Sequence, residues 1–135
     1  LKGLTGLRSL DLAGTPATDA GLAHLGGLAA LGDLNLHATG VTDAGLAHLE
    51  PLADLTVLNL SRTAVTDAGL EHLKGLKTLA TLHLAETKVT DAGLARLKNL
   101  PGLKFLVVPR TGVTAKGVAD FHAAVPGCRV EHDGG

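Results

Sequence analysis

Seven histidines in a chain of 135 residues raise a metal site as the first chemistry to consider. His24, His48 and His72 recur every 24 residues, and Arg96 takes the fourth place in the series. A zinc site draws four ligands onto one ion at about 2.0–2.3 Å. Side chains on stacked helices stand roughly 8–10 Å apart, and a guanidinium in the row repels a cation. The series is therefore expected to be a solvated convex face. His37 and His83 fall on the opposite face, two layers and one column apart, about 10 Å by strand spacing. His122, His132 and Asp133 form the one local cluster, and it lies near a polar C-terminus. No metal or cofactor is expected.

Carboxylates offer acid–base chemistry no better. Asp11 and Asp33 fall on adjacent strands but in offset columns. Asp19, Asp43, Asp67 and Asp91 each open a helical segment, where an acidic or hydroxyl side chain caps unpaired amides. The chain has no G-x-S-x-G elbow, no G-x-x-x-x-G-K phosphate loop and no H-E-x-x-H zinc helix. Gly26-Gly27 reads as a helix end. The expectation is a non-enzyme without a small-molecule substrate.

What positions these residues is a repeat of 24. Thr18-Asp19-Ala20-Gly21-Leu22 returns at 42–46, 66–70 and 90–94, then decays to Thr114-Ala115-Lys116-Gly117-Val118. Ahead of each copy stands an aliphatic triplet, such as Leu31/Leu34/Leu36 or Leu55/Leu58/Leu60. A period in this range means supersecondary units that bury one continuous core only by stacking. In residues 31–54, Leu34-Asn35-Leu36 alternates like a short half-buried strand. Ala38-Thr39-Gly40 turns the chain and Val41 returns inside. Thr42 or Asp43 caps a helix or 3₁₀ segment whose stripe is Leu46, Leu49 and Leu52. Gly45 costs a helix about 1 kcal/mol against alanine. Its return in every copy implies a backbone packed too closely against its neighbour for a Cβ. Strand, turn, helix and return build an α/β fold: a right-handed coil with parallel strands on a concave face and short helices on a convex one.

The segment Leu55-x-x-Leu58-x-Leu60-x-x-Thr63-x-Val65 resembles the leucine-rich repeat pattern L-x-x-L-x-L-x-x-N-x-L, over residues 1 to about 125. The T-D-A-G-L continuation is similar to bacterial repeats of the ribonuclease-inhibitor-like and F-box-like type. The chain departs from that family at its Asn, replaced here by Thr15, Thr39, Thr63, Thr87 and Thr111. A threonine ladder is expected to take over part of the bonding between adjacent turns. The resemblance implies a protein-interaction module, often an arm of a larger protein, that presents its concave strands to a protein or peptide. The rival expectation is a structural spacer without a specific partner.

Twelve basic against thirteen acidic side chains give a formal charge of −1, which lacks the electrostatic footprint of a nucleic-acid or anionic-membrane binder. No apolar run approaches the roughly 20 residues of a membrane span, and no signal peptide is visible. The lone Cys128 forms no internal disulfide. It is expected to be inert, in the slot that Leu106 fills one turn earlier; an unpaired thiol slightly favours a reducing, cytoplasmic setting. Leu1 and Leu4 fall at the positions of Leu25 and Leu28, so the chain reads as opening inside an earlier repeat, a partial unit over 1–6. About five repeats then run to residue 125, and 126–135 form a cap strand and a frayed polar tail.

The outward columns of the concave sheet read Ser9/Asp33/Val57/Thr81/Phe105, Asp11/Asn35/Asn59/His83/Val107 and Ala13/His37/Ser61/Ala85/Pro109. A rim column follows, Gly14/Ala38/Arg62/Glu86/Arg110. Unlike the core, these positions change from copy to copy. The partner-binding residues expected on this face are Asp11, Asp33, Asn35, His37, Asn59, Arg62, His83, Phe105, Val107 and Arg110. Phe105, Arg62 and Arg110 lead because aromatic and arginine side chains are the usual anchors. Two states of the C-terminal end stay open: the last segment folds over Phe105 and Val107, or leaves them as an exposed apolar patch.

Overall fold

Alternation within each aliphatic triplet gives a strand of three residues, the shortest run that can place a core side chain between two outward ones. A computed structural model describes residues 6–133 of the chain; the readings made for Leu1, Leu4, Gly134 and Gly135 lie outside them. The strands are β1 (Ser9–Asp11), β2 (Asp33–Asn35), β3 (Val57–Asn59), β4 (Thr81–His83), β5 (Phe105–Val107) and β6 (Arg129–Glu131). They form one sheet in the order β1-β2-β3-β4-β5-β6. Every pair is parallel and displaced by one repeat, so Leu10, Leu34, Leu58, Leu82, Leu106 and Val130 lie side by side.

On the convex side, α1 (Asp19–Leu22) and α2 (Asp43–Leu46) each run on into a 3₁₀ turn, Ala23–Leu25 and Ala47–Leu49. The third copy is 3₁₀ throughout, Asp67–Leu73. The fourth is α3 (Asp91–Leu97), and the decayed fifth grows into α4 (Ala115–Ala124). The leucine stripe of these segments and the strand leucines make one core; Leu46, Leu49, Leu52 and Leu58 are all 0 % exposed. Phe121 takes the position of Leu97 one repeat on and is buried, a larger side chain closing the last layer. At the other end Leu7, Leu10 and Leu12 are only partly buried.

The repeated aspartates do not cap their own helices. The Thr42 N–H donates to Asp19 Oδ1 at 2.7 Å and its hydroxyl donates to Oδ2 of the same carboxylate. Asp43 holds Thr66 in the same way, Asp67 holds Thr90 and Asp91 holds Thr114. Each threonine occupies the cap position with extended backbone, but only Thr66 and Thr114 accept a bond from their own helix. Stacking explains the change of role: the next repeat presents an N–H and an O–H together, and two charge-assisted bonds outweigh one to a local amide.

The invariant glycines follow from the same clamp. A Cβ on Gly45 would strike the Asp19 carboxylate and stand 3.1 Å from Leu22 Cδ1. Gly69, Gly93 and Gly117 meet Asp43, Asp67 and Asp91 likewise, whereas nothing among the described residues lies within 4 Å of a Cβ on Gly21.

At Asp91 the Thr114 hydroxyl, and then the Thr114 N–H, hold the carboxyl below the usual carboxylate range, against a weaker effect of burial. Because folding lowers this pKa, the clamp contributes stability above the unfolded-state value of about 3.9 and loses it as pH falls through the folded-state value. Asp91→Asn should therefore be less stable than the parent near pH 7, with the gap closing towards pH 3. Urea midpoints at the two pH values measure this, and a gap of constant size would reject the charged clamp.

The threonines that replace the family's asparagine behave otherwise than expected. Thr63 Oγ1 donates to Leu60 O at 2.6 Å within its own turn, and Thr15, Thr39, Thr87 and Thr111 repeat the bond. There is no ladder between turns at this position, because a hydroxyl brings one donor where an amide brings two donors and an acceptor. Side-chain bonds between turns include the aspartate clamp and those of Thr56 and Thr78, whose hydroxyls reach Gly32 O, Ala53 O and Leu55 O of the preceding turn. Thr63 is 8 % exposed, so Thr63→Val strips a bond from a carbonyl with little access to water. A loss of about 1–3 kcal/mol is expected, read from the urea midpoint, and an unchanged midpoint would reject the role.

Candidate binding surface

The outward face of the sheet carries the columns expected from the sequence, the first two of them lengthened by one strand. Arg129 joins Phe105, and Glu131 joins Val107, in the parallel register of β6 on β5. Both were missed as surface residues, although a step of 24 from Phe105 and Val107 leads directly to them.

The N-terminal half is polar, but much of its polarity is already engaged. Asp11 Oδ1 accepts the Ala13 N–H at 2.9 Å. Asn35 and Asn59 accept the N–H of His37 and Ser61, both at 3.0 Å. These are Asx turns that lead each strand out of the sheet. They leave the amide groups of Asn35 and Asn59 as outward donors. The Asp33 side chain is exposed and makes no hydrogen bond or ion pair among the described residues. His37 is half-buried, and Ser61 is buried with its Oγ accepting the Ala85 N–H at 3.0 Å.

Arg62 and Arg110 stand on the rim. They, Ala38 and Glu86 take left-handed backbone (φ 55–59), the position that Gly14 fills in the first repeat. Glu86 lies between the two arginines, 3.7 Å from each guanidinium. All three side chains are well exposed, so these pairs contribute little stability. They hold Arg62, Glu86 and Arg110 together as one row along the rim.

At the C-terminal half Phe105 is half-buried between two neighbours. The His83 ring lies 6.5 Å from it, centroid to centroid, tilted by 58°. The Arg129 guanidinium sits 5.9 Å from the ring centroid, within cation–π range. The terminal segment thus lies beside Phe105 and Val107 as a sixth strand and does not fold over them. Nor is the tail frayed throughout: Asp133 Oδ2 accepts the Arg110 N–H at 2.8 Å. In earlier repeats a carbonyl of the next turn does this, as Pro109 O does for Glu86.

Cys128 is buried, and burial pushes its thiol up, but it does not occupy the Leu106 slot. Val130 pairs with Leu106, because the 24-residue step holds through β6 and Cys128 falls two residues short of it. Cys128 and Val130 line an open cleft of about 460 Å³ with Val118, His122 and Arg129.

The later half of the convex column, His72 and Arg96, is engaged with the preceding repeat, whereas the side chains of His24 and His48 make no hydrogen bond or ion pair among the described residues. His72 Nδ1 is 2.6 Å from Glu50 Oε2, and Arg96 donates to Asp67 O at 2.8 Å and lies 3.6 Å from Glu71. No group of three or more histidine, cysteine or acidic side chains converges as a metal site among the described residues. No helix among them is long and apolar enough to cross a membrane.

A leucine-rich repeat family model matches residues 53–74, the span that holds β3 and the 3₁₀ segment after it. Solved structures similar to the chain include internalin C2 of Listeria monocytogenes, with a TM-score of 0.78 at 26% identity over 97% of this chain and 54% of that one. A second internalin of Listeria monocytogenes, inlF, superposes at a TM-score of 0.82 with 21% identity, over 99% of this chain and 36% of that one. A leucine-rich repeat protein of Leptospira interrogans reaches 0.61 at 19% identity, over 96% and 38% of the two chains. The chain therefore spans about half, or less, of each of these three structures. No curated protein matches it by sequence.

Proposed function

This chain is a leucine-rich repeat solenoid, and from that premise we propose that it is a protein-interaction module whose concave sheet holds a protein or peptide. The observation that carries the reading is where the repeat stops repeating. Core leucines, clamp aspartates, cap threonines and close-packed glycines return at every 24th residue. The first outward column runs Ser9, Asp33, Val57, Thr81, Phe105, Arg129 without a shared type. Packing dictates the first group and leaves the second free to meet a partner. Phe105, with His83 and Arg129 against its ring, is the anchor of the surface, since aromatic and arginine groups dominate binding energy when a partner desolvates them. Asn35 and Asn59 add outward amide donors, and Asp11, Asp33, His37 and Val107 complete the contact area. Arg62 and Arg110 contribute from the rim. The module acts as part of a longer protein, with residues 1–125 as the repeat array and 126–135 as its closing strand and tail.

Phe105→Ser combined with Arg129→Ser tests this. Pull-down with the double variant should lose the partners captured by the parent while its thermal melting stays within a few degrees. Full retention of those partners would support a spacer that binds nothing through its concave face.

A further inference from the structure

The first outward column has a polarity along the solenoid that the other columns lack. It begins at Ser9 and Asp33, passes Val57, Thr81 and Phe105, and ends at Arg129, each beside the next in parallel register. Asp33 and Arg129 are its two charged members. Both are exposed, and neither makes an ion pair among the described residues. Arg129 is held against the Phe105 ring, which orders the guanidinium and leaves donors free for a carboxylate. The second column does the opposite: it opens on Asp11 and closes on Glu131, two acids with no cation between them except a histidine when protonated.

Resting on the concave-face reading, we propose that the ligand is an extended peptide segment lying across the strands along the first column. It carries a basic side chain at Asp33, a carboxylate at Arg129 and an apolar side chain at Phe105. The spacings fit one another. Asp33 and Arg129 are four strands apart, about 19 Å at about 4.8 Å per strand. An extended chain covers that in about six residues at about 3.3 Å each. Alternate side chains of such a segment face the sheet, so the basic residue, the acidic residue six away and two residues between them all point inward. The inward residue two positions from the acid falls about 13 Å from the base, within about 2 Å of the Phe105 position three strands from Asp33. Asp11, one strand from Asp33, strengthens the negative end by its field. Glu131, two residues from Arg129 on the same face of β6, weakens the positive end, so the contact to the ligand's base is the stronger of the two. A ligand shifted to the second column would meet Asp11 and Glu131 and find no partner for its acid, so like-charge repulsion sets the register.

The test is selection of a phage-displayed random dodecapeptide library on the full chain. Enriched sequences should place a Lys or Arg and an Asp or Glu six residues apart, with an apolar residue two positions from the acid. Synthetic enriched peptides should bind Arg129→Glu or Asp33→Lys at least ten-fold more weakly than the parent, and changing the peptide's acid to Lys should recover binding to Arg129→Glu. Unchanged melting of both variants establishes that folding is not the cause. Enriched peptides that respond to Phe105→Ser but to neither charge variant overturn the polarity while sparing the concave-face reading. Peptides indifferent to all three changes overturn both. A library without enrichment overturns the peptide proposal, and the pull-down above then decides the module reading separately.

Discussion

Gly69→Ala should destabilise the chain by about 2–4 kcal/mol, although alanine is the better helix former by about 1 kcal/mol. The added methyl would fall on the Asp43 carboxylate and stand 3.0 Å from Leu46 Cδ1. Overpacking of this kind costs about 1–3 kcal/mol. Pushing the carboxylate aside also weakens its two bonds to Thr66, each of the charged type worth about 1.5–3 kcal/mol. The matching change at Gly21 should have the opposite sign. No described neighbour lies within 4 Å of that Cβ, so helix propensity alone acts and Gly21→Ala should gain up to about 1 kcal/mol. Urea unfolding of the two variants beside the parent measures both. Equal shifts in the same direction would mean that the glycines serve the helix backbone and not the clamp.

Leu58→Ala should cost about 2–5 kcal/mol. Leu58 is 0 % exposed in the middle of β3, with Leu34 and Leu82 directly beside it in the sheet. Neighbouring layers carry the same side chain at the same height, so neither can slide into the gap without opening one of its own. Repeat arrays couple only through adjacent units, so a weakened middle layer should also broaden the transition. Leu10→Ala is the comparison: Leu10 is only partly buried at the first layer, and its loss should be clearly smaller. A cost below about 1 kcal/mol at Leu58 would contradict a rigid aliphatic spine.

The register of the sheet was legible before any coordinates because a parallel stack of identical units has one displacement, the repeat length, and it applies to every pair. The same rule connects Phe105 to Arg129 and Val107 to Glu131, and applying it one strand further would have found both. Side-chain partners were less legible. The aspartates looked like helix caps because a sequence displays its local neighbours, here the first turn of the same helix. Their true partners, the threonines 23 residues on, compete only once the units are stacked. The Thr15 to Thr111 series was misread for the converse reason: family analogy pointed across turns, and the hydroxyl is satisfied within its own.

By itself the sequence determined the period, the strand and helix faces, the continuous leucine core and the need for glycine at one helical position, because each follows from periodicity and volume. Only the tertiary structure decided what crowds that glycine, which threonine each carboxylate holds, that Asp133 closes the last turn, and that Arg129 lies against Phe105. Those choices depend on donors and acceptors brought together from different repeats. Their competition is settled by distance after stacking, and no local pattern of residues records it.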